Sequence, residues 1–141
     1  MNSIIVPCPA CRALNRVPTE RLGDAAICST CRARLLGTPI EFDIATFDRA
    51  LPRVNLPVVV DFWAAWCGPC RVMAPQFAAA AGELAGEVVF AKVDTEAAPE
   101  LAQRFGIQSI PTLVLLQHGA EVRRLSGALQ RAQIVQWIRH G

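Results

Sequence analysis

The six cysteines of this chain fall into three Cys-x-x-Cys pairs: CPAC at Cys8–Cys11, CSTC at Cys28–Cys31 and CGPC at Cys67–Cys70. The third pair has a setting that the other two lack. The apolar run LPVVVDFWA, of strand length and composition, delivers the chain to Cys67, and CGPCRVMAPQFAAAAGELA then has the length and spacing of a helix. A cysteine that opens a helix meets unpaired backbone N–H groups and the positive end of the helix dipole, which favour the thiolate. The thiolate is the form that attacks a disulfide. Cys70, three residues on, shares the helix face and reaches the Cys67 sulfur. Cys67 is therefore the expected nucleophile, forming a mixed disulfide with its target, and Cys70 the expected resolving thiol. Gly68 leaves an incoming protein unobstructed. Pro69 suits a first helical turn, where a missing N–H costs little. The competing readings are a zinc knuckle or a chance pair; a metal needs two further ligands, and none lies near in sequence.

The other four cysteines make C-x2-C-x16-C-x2-C. Two tight pairs at such a separation are the pattern of a tetrahedral zinc site. Cys8, Cys11, Cys28 and Cys31 are the expected ligands of one structural Zn2+, closed to water. A segment this short lacks a sufficient core of its own, and a metal would supply the missing folding free energy. Two disulfides, or two more redox pairs, are the alternatives. Arg12 and Arg32 stand after the second cysteine of each pair, where zinc knuckles often place Gly.

Asp61 interrupts the run VVVDFW, where a carboxylate is costly unless it titrates or finds a partner. It could accept the Cys70 proton during resolution, or it could face a solvated strand end. Lys92 is the single lysine beside thirteen arginines and sits in FAKVD. It is a candidate partner for Asp61 or the redox site, or else an edge-strand lysine with its head in water. A cis bond at Ile110–Pro111 would turn the chain sharply and leave the Ile110 backbone free to pair with a peptide, although most such bonds are trans. Trp66 could form an apolar rim for a protein substrate, and Trp63 could equally be core.

These groups need a scaffold. With 52% hydrophobic and 18% charged residues the chain can bury a core, and its net charge of +2 is too weak to imply nucleic acid. The charge is uneven: residues 1–39 carry five Arg against Glu20 and Asp24. From Ile40 the expected order is βαβαβαββα, a mixed α/β sheet covered by helices. DIATFDRAL is a helix capped by Asp43, with Ile44, Phe47 and Leu51 inward. The CGPC helix is kinked at Pro75, APELAQRF ends at Gly106, and TLVLLQHGAEVRRLSG is a hairpin turning at His118–Gly119. The last helix points Leu129, Ile134 and Trp137 or Ile138 inward. Residues 1–35 show no sustained period, and Leu36–Pro39 forms a linker. Two units are thus expected, a metal module over 1–38 and an α/β domain over 39–141. No apolar run approaches the ~18 residues of a membrane span. The first residues lack the basic and apolar regions of a signal peptide. The expectation is a cytoplasmic monomer that binds neither membrane nor nucleic acid.

VVVDFWAAWCGPC, Ala74-Pro75, IPT at Ile110–Thr112 and the late Gly127 resemble thioredoxin over about residues 40–141. With the four-cysteine module in front, the whole chain resembles the zinc-binding bacterial thioredoxins. The resemblance implies a thioredoxin fold and protein-disulfide reduction, with Cys67 and Cys70 as the dithiol. It puts Asp61 and Lys92 at the family's buried acid and its lysine neighbour, Pro111 at the cis-proline, and Ile110, Pro111 and Gly127 at the substrate surface. It also implies disulfide-containing proteins as substrates and the NADPH-dependent flavoprotein thioredoxin reductase as electron donor. No organic cofactor is expected on this chain, which has no G-x-G-x-x-G. Two other functions compete: a binding module that uses the basic N-terminal segment, and a sensor in which oxidation of the zinc thiolates loosens residues 1–35.

Overall fold

A computed structural model describes residues 2–140. Its N-terminal part is a two-stranded antiparallel hairpin, β1 (Ser3–Pro7) and β2 (Leu14–Pro18), followed by a single 3-10 turn over Thr19–Arg21. This hairpin departs from the expectation of a segment without period. The strands alternate in burial, with Ile4, Val6, Asn15 and Val17 inward. Each is only five residues long, and in β2 one of the two inward positions is the polar Asn15, too little for a periodic signal in sequence.

The second part follows the expected order: β3 (Ile40–Glu41), α1 (Ile44–Ala50), β4 (Val58–Trp63), α2 (Gly68–Glu83), β5 (Val89–Asp94), α3 (Pro99–Arg104), β6 (Thr112–Gln117), β7 (Ala120–Ser126) and α4 (Arg131–His140). The five strands lie in the order β3-β5-β4-β6-β7. β3, β5 and β4 run parallel, and β6 and β7 return antiparallel. Asp43 caps α1, its carboxylate accepting the Thr46 N–H at 2.7 Å. The hairpin turn carries positive φ at both His118 (52°) and Gly119 (79°), the conformation that matches strand twist in a two-residue connection. α2 runs through Pro75. α4 begins at Arg131, so Leu129 packs from the approach to the helix rather than from within it.

Alternation along the central strands divides the core into two layers. One face of the sheet carries Val60, Phe62, Ala91, Val93 and Val114, packed with Phe47 of α1 and Leu101 of α3. The other carries Val59, Phe90, Leu113 and Leu115, covered by Met73 and Phe77 of α2 and Ile134 and Ile138 of α4. The N-terminal part shares the first layer, because Ile4, Val6, Val17 and Leu35 belong to the same apolar cluster as Ile40, Phe42 and Phe47. Polar ties close the seam. Asn55 accepts the Ile5 N–H at 2.9 Å and donates to the Ser3 carbonyl at 2.8 Å, extending β1 with a side-chain amide. No helix is long and apolar enough to cross a membrane among the described residues.

Candidate functional site

β4 ends at Trp63, and the short segment through Trp66 places Cys67 at the N-cap of α2. The Cys67 sulfur accepts the Cys70 N–H at 3.2 Å, so one of the orphan donors of the first turn points at it. Cys67 and Cys70 are joined as a disulfide, with Cα atoms 5.2 Å apart. Gly68 and Pro69 occupy the first turn between them. Facing the pair is the loop before β6. The Ile110–Pro111 peptide is cis, and the Ile110 carbonyl oxygen lies 3.8 Å from Cys67 Sγ. Gly127, at φ 108°, donates its N–H to the Pro111 carbonyl at 2.9 Å, so the late glycine supports this loop from β7. Trp66 is 67% exposed, and its indole N–H reaches Glu96 at 3.2 Å. It borders an open groove of about 330 Å³ lined also by Thr95, Ile107, Ser109 and Ile110. The fold thus collects Trp66, Cys67, Gly68, Pro69, Ile110, Pro111 and Gly127 around one sulfur pair.

In the strands that lead to the disulfide, the sheet holds a row of charges. Asp61 pairs in register with Lys92 of β5, which pairs on its other side with Glu41 of β3. Register partners share a face, and Asp61 lies two residues from Val59, on the same side of β4, and stands opposite Leu113, so the row lies on the face covered by α2. Asp61 is 1% exposed and its Oδ1 has no hydrogen-bond partner. Burial pushes its carboxyl up to about 7, against the pull of the Lys92 ammonium and with a further push from the Glu41 charge. The solvated-strand-end reading of Asp61 is therefore excluded. Lys92 is no edge residue either, since β5 lies between β3 and β4. Its Nζ sits 4.7 Å from the centroid of the Trp63 ring, a cation–π contact. Among the described residues no ion pair joins it to a carboxylate within 4.0 Å.

Glu41 was not singled out from the sequence. It is half-buried, one of its carboxylate oxygens is buried without a partner, and burial raises its pKa. Its signal was the alternation Ile40-Glu41-Phe42, which turns Glu41 away from the two apolar side chains, but three residues are too few to declare a strand.

The four remaining cysteines converge. Cys8, Cys11, Cys28 and Cys31 have sulfurs all within 4.8 Å of one another. Cys8 and Cys31 sulfurs are 3.5 Å apart and those of Cys11 and Cys28 3.6 Å. A tetrahedron of thiolates at about 2.3 Å from zinc has edges near 3.8 Å, whereas a disulfide needs about 2.05 Å. The two hairpin knuckles repeat one geometry. Arg12 N donates to the Cys8 carbonyl at 2.9 Å and Arg32 N to the Cys28 carbonyl at 3.0 Å. Both arginines are left-handed, at φ 65° and 72°, which explains why glycine is common there in such knuckles. Backbone N–H groups of Ala10 and Thr30 point at the sulfurs of Cys8 and Cys28 at 3.3 Å each. Buried Asn15, also unmarked in the sequence reading, donates to Cys28 Sγ at 3.4 Å while its Oδ1 accepts the Ser29 N–H at 3.0 Å. The Cys28 thiol is held well below its usual range, first by the Cys31 backbone N–H and also by Asn15 and Thr30, against its burial. The donor set fits a tetrahedral thiophilic cation.

Comparison with known proteins agrees with both halves. A family model described as thioredoxin matches residues 38–140, and one described as thioredoxin 2, N-terminal, a zinc ribbon, matches residues 7–33. Thioredoxin C-3 of Corynebacterium nephridii is 46% identical over 136 residues, spanning 96% of this chain and 93% of that protein. A thioredoxin of Mycobacterium tuberculosis is 43% identical over 91 residues, covering 64% of this chain and 78% of its own. A bifunctional thioredoxin reductase/thioredoxin of Mycobacterium leprae is 41% identical over 103 residues, which is 73% of this chain and 22% of that one.

Proposed function

This chain belongs to the thioredoxin family of thiol–disulfide oxidoreductases, and we infer from that premise how its residues divide the work. Reduced Cys67, its thiolate favoured at the α2 N-terminus, attacks one sulfur of a protein disulfide. The target S–S bond breaks, a Cys67–target disulfide forms, and one target thiolate leaves. Asp61 accepts the Cys70 proton. The Cys70 thiolate then attacks Cys67 Sγ, releasing the second target thiolate and closing the Cys67–Cys70 disulfide. Two electrons have passed from this chain to its target. A carboxyl poised near 7 is suited to taking a thiol proton at neutral pH and giving it up later.

The substrate segment lies in the groove between Trp66 and Ile110, with Gly68 and Pro69 forming the uncluttered rim and the loop held by Pro111 and Gly127 beside the sulfurs. The observation that carries this reading is the Cys67–Cys70 pair at the start of α2, facing the Ile110 carbonyl at the mouth of that groove. Insulin reduction with a small-molecule dithiol as donor tests it. Cys67→Ser should abolish turnover. Cys70→Ser should accumulate a mixed disulfide with the target. Turnover retained in Cys67→Ser would overturn the assignment.

The division into a metal module over 1–38 and a thioredoxin domain over 39–141 rests on the two family matches and the change of texture between them. Cys8, Cys11, Cys28 and Cys31 would hold one Zn2+, whose role is to tie the two knuckles together. Cys11 and Cys31 are exposed, so an oxidant can reach two of the four thiolates, and this favours a second role as an oxidation sensor. Electrons come from a flavoprotein thioredoxin reductase. The Mycobacterium leprae relative, in which reductase and thioredoxin share a chain by name, supports that donor. A reducing cytoplasm suits four free thiols and a recycling dithiol, and the chain is taken to act there as a monomer.

A further inference from the structure

Glu41 has no part in the steps above, yet it sits where it can govern one of them. The row Glu41–Lys92–Asp61 runs across three adjacent parallel strands in register. It holds two carboxylates and one ammonium. Each carboxylate keeps one oxygen buried without a hydrogen-bond partner, and the buried Trp63 indole N–H favours the Glu41 charge without closing a hydrogen bond to it. Lys92 is bonded to neither acid and rests over Trp63 between them. We propose that Glu41 is a positioning residue of the redox centre, competing with Asp61 for the Lys92 ammonium and so keeping Asp61 basic enough to take the Cys70 proton.

This proposal rests on the reading of Asp61 as proton acceptor. With Glu41 ionised, Lys92 divides its charge between two acids. Without it, the ammonium would serve Asp61 alone and make it a weaker base. Adjacent strands are about 4.8 Å apart, so the backbones that carry the two acids are about 9.6 Å apart, which sets the scale of the distance between the charges. Like charges at that distance and an effective dielectric near 20 shift each other by about one pH unit. The remaining charges that face Glu41 are Asp94 on β5 and Arg12 from the N-terminal hairpin. Asp43 and Arg49 line the same cleft at the start and end of α1. The cleft, about 410 Å³, opens Glu41 to solvent, while Asp61 has no such opening.

The test uses the full, zinc-loaded chain. In oxidised protein carrying 13C-labelled aspartate, the Asp61 carboxyl is titrated by NMR in wild type, Glu41→Gln and Glu41→Leu. In reduced protein, single-turnover reduction of insulin is followed from pH 5.5 to 9. Both variants should lower the Asp61 midpoint by about one pH unit. The acid limb of the rate should move down with it, and Glu41→Asp should restore part of the shift. In Asp61→Asn, adding Glu41→Gln should change nothing further in the pH profile. A purely structural role for Glu41 would lower thermal stability and leave the midpoint in place, and an unmoved midpoint overturns the proposal. The Cys67 thiol contributes an acid limb of its own, so the discriminating outcome is its position: a limb that keeps the wild-type midpoint and amplitude in Asp61→Asn alone overturns the proton-acceptor reading instead, whatever Glu41 does.

Discussion

Asp61 makes folding stability depend on pH in a way that can be worked out beforehand. Its folded carboxyl titrates at about 7 because burial penalises the charged form. In the unfolded chain it titrates near 3.9. A difference of about 3 units at 1.36 kcal/mol each corresponds to about 4 kcal/mol. The sign follows from proton counts. Between the two values the native state binds the proton and the unfolded state does not, so stability falls as pH rises. The contribution is fully present below about 4 and lost above about 7. Roughly 3 of those 4 kcal/mol should disappear between pH 5 and 9, a range in which thiolate ligands can retain a metal. The perturbation is Asp61→Asn, and the assay is urea unfolding of oxidised, zinc-saturated protein at fixed pH steps. Wild type minus variant cancels the titrating groups that do not interact with Asp61, and repeating the pair of measurements in a Glu41→Gln background separates out its coupled neighbour. The difference should favour wild type increasingly toward pH 5 and reverse toward pH 9, where the buried charge is present only in wild type. A difference that stays level within about 0.5 kcal/mol across the range would refute the assignment of Asp61 as a buried group titrating near neutrality.

Two other outcomes follow from the N-terminal hairpin. Protein purified without chelator should carry one zinc per chain; mild peroxide that oxidises Cys67 and Cys70 should also release it if exposed Cys11 and Cys31 act as sensors, whereas zinc retained through that treatment would leave the cluster purely structural. Arg32→Gly should stabilise the zinc-loaded protein by up to about 1 kcal/mol, because a left-handed L-residue costs roughly 1–2 kcal/mol and glycine gives part of that back in chain entropy; Arg12→Gly should gain less or lose, since Arg12 also donates to the Glu41 carbonyl at 3.1 Å and the Ala10 carbonyl at 2.9 Å. Chelator-competition titration and thermal unfolding read both, and equal effects at the two knuckles would contradict the tie from Arg12 to β3.

What could be read from the sequence was whatever chemistry confines to a few neighbouring residues. The cap at Asp43, the His118–Gly119 turn, the helix start at Cys67 and the pairing of the zinc-type cysteines are all local, and each stands where the residues placed it. The hairpin β1–β2 and the seam it makes with the second part were not legible. Their strands are five residues long, and the amide of Asn55 that extends β1 comes from about fifty residues away. Asn15 is similar: nothing in LNRVP announces that its amide will meet a sulfur thirteen residues downstream. Registers across a parallel sheet are long-range by construction, so Glu41 could not be tied to Lys92 and Asp61 before the strand order was known.

The single lysine of a chain with thirteen arginines falls in the middle of that row, and the geometry gives a reason. A guanidinium at position 92 would present several donors in a fixed plane, and a carboxylate on the neighbouring strand would take two of them. Asp61 Oδ1 would then be satisfied and its acidity restored, and a carboxyl so paired no longer accepts a thiol proton at neutral pH. An ammonium is a compact charge on a flexible stem. Resting on the Trp63 face, it lends part of its field to each of two acids without bonding to either. The cost of the row is a buried carboxylate left without a hydrogen bond. The burial that leaves it so is what holds Asp61 near neutrality, and so the strand that leads to the disulfide is destabilised by the group that serves it.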